Sequence, residues 1–174
     1  MATRQQLLMT QALIPLPKVH SKLPTYAFVG NFCDIKGADN FLKLVENLQC
    51  RFRVIGNVFP NYINKLHSFN IEVTGKYTIQ ELPTLLQDVD IVFIPTQANE
   101  SFCLVLSEIQ QLKIPHLVSN RGALTERTDK RLLCDFNNID EVIHKIYNIP
   151  KDIIYPEIKS IQENAREYGN IYRS

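Results

Sequence analysis

The chain has 174 residues, 45% of them apolar, which suits one globular domain with a core large enough to fold alone and leaves no room for a second full domain. Nineteen Lys and Arg against eighteen Asp and Glu give a formal net charge of +1, so no global field favours nucleic acid or an anionic membrane, and only local phosphate sites stay open. Cys33, Cys50, Cys103 and Cys134 are widely spread with no C-x-x-C pair, which argues against a zinc knuckle or a redox motif and fits reduced, largely buried thiols in a cytosolic setting.

In chain order, residues 1–24 hold Pro15, Pro17 and Pro24 and read as a linker or N-terminal arm. The apolar run at 6–16 is broken by Thr10, Gln11 and Pro15 and lacks a cleavage pattern, and nothing approaches the roughly 20 apolar residues of a membrane span. From residue 26 strand-like and helix-like stretches alternate, the pattern of parallel βαβ units. Strands are predicted at 26–30, 52–56, 71–74, 90–94, 115–119 and 132–134. Between them lie helices at 38–49, near 60–69 with Pro60 in its first turn, after a capping box at Thr78 and Glu81, after Phe102, and at 140–147. A last helix is predicted from 156 to about 172, so the chain divides into an arm at 1–24, a Rossmann-like domain at 25–155 and a terminal helix at 156–174.

Right-handed crossovers make the expected product an α/β, doubly wound parallel sheet of about six strands, with ligand-binding loops gathered at the carboxyl ends of the strands. The most informative of these is the stretch 95–115, PTQANESFCLVLSEIQQLKIP. Glu100 lies in the strand-to-helix loop and Glu108 is expected roughly two turns along the helix, whose inner face would carry Phe102, Val105, Leu106, Ile109 and Leu112. Two carboxylates so placed accept hydrogen bonds from several hydroxyls, which suits a polyol such as a ribose or hexose. The alternative is a helix start whose acidic residue merely complements the helix dipole. His20, His67, His116 and His144 fall in no nucleophile or base motif and read as surface or satisfied histidines, and no Walker loop, Ser-His-Asp signature or metal-ligand cluster is present in the sequence.

Three elements recur in a fixed order. They are an E-x7-E motif at Glu100 and Glu108 flanked by Pro95 and Pro115, a strand-Gly-loop VGNFCDIKGADNFL with Gly30 and Lys36-Gly37, and SNRGALTE with Gly122 and Glu126. Together, and with LIPLP at 13–17 as an interdomain linker, they resemble the C-terminal, donor-binding domain of glycosyltransferase family 4, retaining enzymes of the two-domain GT-B fold that use nucleotide sugars. The resemblance runs from about Tyr26 to Tyr147.

The resemblance implies a donor substrate that is a UDP-, GDP- or ADP-sugar, bound without metal or other cofactor. Lys36 would meet the diphosphate, helped by backbone N–H groups of Ser101, Phe102, Cys103 and Leu104 at the start of the helix. Gly30 and Asn31 would line the donor loop, and Glu108 would accept the ribose hydroxyls. Glu100 would bind the transferred sugar nearest the reacting carbon, making it the catalytic candidate. The partner would be an N-terminal acceptor domain in the same or another chain, through which any peripheral membrane contact would come. Surface polysaccharide or glycoconjugate assembly is the family's commonest setting.

Four positions depart from the family. Asn31 replaces an arginine, and an amide is no substitute for a charged five-donor fork unless Arg121 or Lys76 compensates. Ser101, Cys103 and Lys113 replace glycines. These changes support the rival reading of a non-catalytic binding or scaffolding domain. A receiver-like or flavodoxin-like module is a second rival, disfavoured because the first strand is followed by neither paired acidic residues nor a flavin-phosphate loop.

Overall fold

A computed structural model describes Pro15 and residues 23–156. The arm and linker expected in the first 24 residues, apart from Pro15, Leu23 and Pro24, and the helix expected from 156 lie outside them. Six strands form one parallel sheet: β1 (Thr25–Val29), β2 (Arg51–Ile55), β3 (Glu72–Gly75), β4 (Ile91–Ile94), β5 (His116–Ser119) and β6 (Leu133–Cys134). They are joined by α1 (Ala38–Asn47), α2 (Pro60–Ser68), α3 (Leu82–Leu85), α4 (Leu104–Gln111) and α5 (Leu124–Arg127), and α6 (Ile139–Tyr147) follows β6.

The strand order is β3-β2-β1-β4-β5-β6. The chain winds outward from β1 through β2 and β3, then returns to the other side of β1 at β4. Thr25 to Val29 pair with Arg51 to Ile55, and Tyr26 to Phe28 pair with Ile91 to Phe93. Loops after β1 and β4 therefore leave the sheet in opposite directions and open a crevice between them, which is where ligands bind in open α/β sheets.

Period-2 alternation sends β1 residues to two cores. Tyr26 and Phe28 join Phe32, Phe41, Phe52, Tyr62 and Phe93 beneath α1, α2 and α6. Ala27 and Val29 join Ile55, Leu82, Leu86, Val92, Leu106 and Ile109 beneath α3 and α4. The first core is tied by edge-to-face aromatic pairs, among them Phe28–Phe32 at 4.8 Å and Phe32–Tyr62 at 5.3 Å between ring centres. The buried Tyr62 also places its hydroxyl between the carboxylates of Asp34 and Asp39, 2.9 Å from the latter, anchoring the loop after β1.

Local signals act largely as the sequence predicts. Pro60 opens α2, and the Glu81 carboxylate accepts from the Thr78 N–H (2.7 Å) and hydroxyl (2.8 Å). At α6 the cap is Asn138, whose side chain accepts from the Glu141 N–H at 3.2 Å. Two expectations change. The helix opened by the capping box is expected to turn Leu82, Leu85 and Leu86 inward, but Leu85 is only partly buried, while Leu82 and Leu86 carry the packing of α3. Phe102 precedes α4 and is 40% exposed, because the chain turns at Cys103 (φ 61°) before the helix starts.

The turn after α4 keeps a left-handed backbone at Lys113 (φ 53°), although glycine is absent there. An exposed lysine gains nothing from that conformation and pays about 1–2 kcal/mol of steric strain. Glycine's looser unfolded chain offsets part of the relief. Lys113→Gly is therefore expected to stabilise the domain by about 0.5–1 kcal/mol, read as a rise of about 1–4 °C in Tm.

Candidate functional site

At the carboxyl ends of β1, β2, β3 and β4 lies a cleft of about 560 Å³, within the range of small-molecule sites. Gly30, Asn31, Lys36, Glu100, Ser101, Phe102, Cys103 and Leu104 all line it. Residues up to 74 apart in sequence thus meet because β1 and β4 are neighbours in the sheet. The charged groups among the described lining residues are Lys36, Lys76 and Glu100.

Lys36 and Glu100 form the centre of the cleft. The Lys36 Nζ lies 2.5 Å from Glu100 Oε1, and the Thr96 hydroxyl donates to the same oxygen at 3.2 Å. Their backbones are held just as closely. The Ile35 carbonyl accepts from the Gln97 N–H (2.9 Å) and from Thr96 Oγ1 (3.2 Å), so the loops after β1 and β4 are stitched together. On the other side, the Glu100 carbonyl accepts from the Ala123 N–H at 2.8 Å. The SNRG turn packs so tightly there that a Cβ on Gly122 would lie 2.5 Å from that carbonyl oxygen.

Asn31 contributes a neutral amide, its Oδ1 3.4 Å from Asn57 Nδ2. Of the two candidate replacements for the family arginine, Lys76 lines the cleft and Arg121 is exposed off the lining. Cys103 sits at the N-terminal boundary of α4 in the left-handed region, with no side-chain cap for the helix. Burial pushes its thiol up from the ordinary cysteine value. Leu104 and Val105, the first residues of α4, line the cleft, so the N-terminus of that helix borders it, an arrangement favourable to an anion.

Glu108 stands apart. It lies a little over one turn into α4 rather than two, because the helix starts only at Leu104. Its side chain is fully buried and off the cleft lining, and the hydroxyl of Tyr77, itself a lining residue, is 3.5 Å from Glu108 Oε2.

Three contributors were not anticipated. Thr96 follows the strand-stopping Pro95, and Tyr77 lies two residues past the glycine ending β3. Arg127, next to the motif residue Glu126, places its guanidinium 3.9 Å from the Phe102 ring centre. It also donates to the carbonyls of Phe102 and Cys103 and to Ser107 Oγ (2.6 Å), clamping the loop that enters α4. Only the position beside Glu126 could have drawn attention to it.

His20 lies outside the described residues, and the three described histidines are not among the residues lining the cleft. His67 and His144 are exposed. His116 is not the satisfied histidine expected: it is buried at the start of β5, its Nδ1 2.9 Å from the Ile114 carbonyl, while Nε2 has no hydrogen-bond partner among the described residues. Burial holds its pKa below the usual histidine value. Among the described residues, no three His, Cys, Asp or Glu side chains are arranged to hold a metal, and no helix is long and apolar enough to cross a membrane.

The family model for glycosyl transferases group 1 matches residues 23–152, the whole sheet and every loop around the cleft. The chain belongs to the group 1 glycosyl transferases. No curated protein matches this glycosyl transferase in sequence. Solved structures agree on its fold. HepE of Anabaena, solved with UDP and glucose, superimposes with a TM-score of 0.64 at 16% identity over 74% of this chain and 39% of that one. Sucrose-phosphate synthase of Thermosynechococcus elongatus gives 0.70 at 16% identity over 87% and 45%. The C-terminal domain of LpcC, a group 1 glycosyl transferase of Francisella tularensis, gives 0.54 at 19% identity over 73% and 78%. At these identities the likeness is one of fold: this glycosyl transferase has the Rossmann-like sheet of one half of a GT-B architecture. It spans less than half the length of the HepE and sucrose-phosphate synthase chains.

Proposed function

We propose that the chain is the C-terminal, nucleotide-sugar-binding domain of a retaining family 4 glycosyltransferase, transferring a hexose from a nucleoside diphosphate sugar when joined to an N-terminal acceptor domain. The observation that carries this reading is the meeting of Lys36 and Glu100 in one cleft at the sheet's switch point, lined also by the first residues of α4. A cation, helix N–H groups and a carboxylate match the two ends of a sugar diphosphate. The fold match over 78% of an isolated C-terminal domain of the same group and the short span against the longer relatives support the assignment as one half.

In this reading Lys36 leaves Glu100 for the diphosphate, and with α4 it stabilises the charge that builds on the leaving phosphate without a metal. Glu100, released, accepts hydroxyls of the sugar and steadies the positive charge that develops at the anomeric carbon. Glu108 accepts the ribose hydroxyls once Tyr77 moves. The bond from the anomeric carbon to phosphate oxygen breaks, the acceptor hydroxyl held by the other half forms the new C–O bond on the same face, and its proton passes to the departing diphosphate. The four cysteines, all free, support a reducing, cytoplasmic setting.

A second reading, a non-catalytic binding or scaffolding domain that kept the fold but lost the donor site, is favoured by the neutral Asn31 amide and by the closure of Glu108. Titration calorimetry of the chain with UDP, GDP and ADP and their sugar conjugates separates the two. Selective binding is expected, with Glu108→Ala weakening it by about tenfold or more through lost charge-assisted hydrogen bonds. Glu100→Ala is expected to keep nucleotide affinity and lose the increment due to the sugar. Unchanged binding by both variants would overturn the site assignment, and absence of binding at millimolar ligand would favour the second reading.

A further inference from the structure

We infer that Tyr77 sets nucleotide affinity in this cleft, its phenol occupying the carboxylate of Glu108 until a ribose hydroxyl displaces it. The inference rests on the reading of Glu108 as the ribose acceptor. Glu108 is fully buried and off the lining, so a nucleoside entering the cleft does not meet it directly. Tyr77 is on the lining and reaches Glu108, its hydroxyl 3.5 Å from Oε2. Phenol and ribose hydroxyls each offer one O–H donor to a carboxylate, so the tyrosine occupies Glu108 with the kind of group the ligand would bring.

The backbone allows the exchange. Tyr77 follows Gly75 and Lys76 at the open end of β3, where Gly75 has φ 75° and a Cβ there would meet nothing within 4 Å. Lys76 beside it is exposed, so the segment is not wedged between packed layers. The ring itself packs against the α3–α4 core from its edge, and that packing together with the hydroxyl contact sets the closed population. A site closed nine-tenths of the time binds about tenfold more weakly than the open form.

Tyr77→Phe keeps the ring and removes the hydroxyl. In calorimetry with UDP, GDP and ADP, the variant is expected to bind whichever of them the parent prefers about 3- to 10-fold more tightly. The 2′,3′-dideoxy form of that nucleotide and inorganic pyrophosphate do not need Glu108, so their affinities are expected to stay unchanged. The gain is also expected to vanish in the Tyr77→Phe/Glu108→Gln double variant. Matching thermal unfolding curves of parent and Tyr77→Phe verify that the fold is intact. Binding by the parent with no gain in Tyr77→Phe overturns this inference alone, as does an equal gain for pyrophosphate, which would mean a general loosening of the cleft. Binding of a nucleotide by Tyr77→Phe where the parent shows none supports it in its strongest form. If neither protein binds any nucleoside diphosphate, the proposed function falls and takes this inference with it.

Discussion

Gly37→Ala is expected to cost about 2–5 kcal/mol of stability, a large share of the roughly 5–15 kcal/mol that holds a domain together. Gly37 ends the turn after Lys36 and precedes α1 with φ 84°, a left-handed backbone that costs an L-residue about 1–2 kcal/mol. The larger penalty is steric. A Cβ there would sit 1.9 Å from the Pro95 carbonyl oxygen and 2.5 Å from its carbon, and neither backbone atom belongs to a side chain free to rotate away. Relieving that clash means parting the loop after β1 from the end of β4, which is the junction that brings Lys36 to Glu100. Overpacking of this kind adds about 1–3 kcal/mol. Denaturant titration measures the loss, and Gly75→Ala is the control: the same positive φ with open space around it should cost only about 1–2 kcal/mol. Equal losses at the two sites would show that the close approach at Pro95 contributes nothing.

The second large effect lies on the far side of the sheet from the first core, at Arg53. This β2 residue is buried, and its guanidinium binds Asp88 in bidentate fashion (2.5 and 3.1 Å), Glu72 (2.9 Å) and the Leu85 carbonyl (2.8 Å). It thereby ties edge strand β3 and the end of α3 to the middle of the sheet. Arg53→Met keeps volume and apolar contact but strands the Leu85 carbonyl and leaves the Asp88 carboxylate with the more distant Arg51 guanidinium, at 3.6 Å. Breaking a buried pair on one side costs about 3–5 kcal/mol, and the partial exposure of Asp88 puts this case near 3. The pH dependence carries the same signature. Burial alone would raise the Asp88 pKa, but hydrogen bonding and charge from Arg53 overcome it and hold the carboxyl below its ordinary value. A depressed carboxylate contributes stability that is present above its unfolded pKa and is lost as pH falls through the lower, folded value. The parent should therefore lose stability from about pH 4 downward, and the variant should lose less over that window. Parallel acid profiles for the two proteins would rule out Asp88 as the carrier.

Much of this domain was legible from local pattern. Short strands rich in apolar residues and helices with apolar residues on one face are short-range properties, so the alternation and the six strands followed directly. So did the carboxyl-end loops, and with them Glu100 and the α4 entry, because a parallel sheet sends every such loop to the same edge, whereas Lys36 stood out only through the family resemblance. The sequence also pointed to Cys103 and Lys113 as replacements for glycine. The structure gives the physical content of those departures: both residues keep a glycine-like backbone, at φ 61° and 53°.

Local pattern missed what depends on three-dimensional closure. Arg53 is a charged residue in an apolar strand, and only the approach of Asp88 and Glu72 from other segments makes its burial tolerable. Arg127 organises the loop at Phe102 across 24 or 25 positions of chain, with neutral carbonyls and a ring that leave no charge pattern to read. Spacing put Glu100 and Glu108 together as one motif, yet the turn at Cys103 delays the helix, leaving one carboxylate in the cleft with Lys36 and the other buried under Tyr77. Amino-acid order by itself determined the elements, their parallel winding and the loops that form the site, because each follows from interactions between near neighbours and from the handedness of the chain. Which side chains close, clamp or hide within that site was decided only by tertiary packing, because burial and hydrogen-bond partners are properties of residues brought together from distant parts of the sequence.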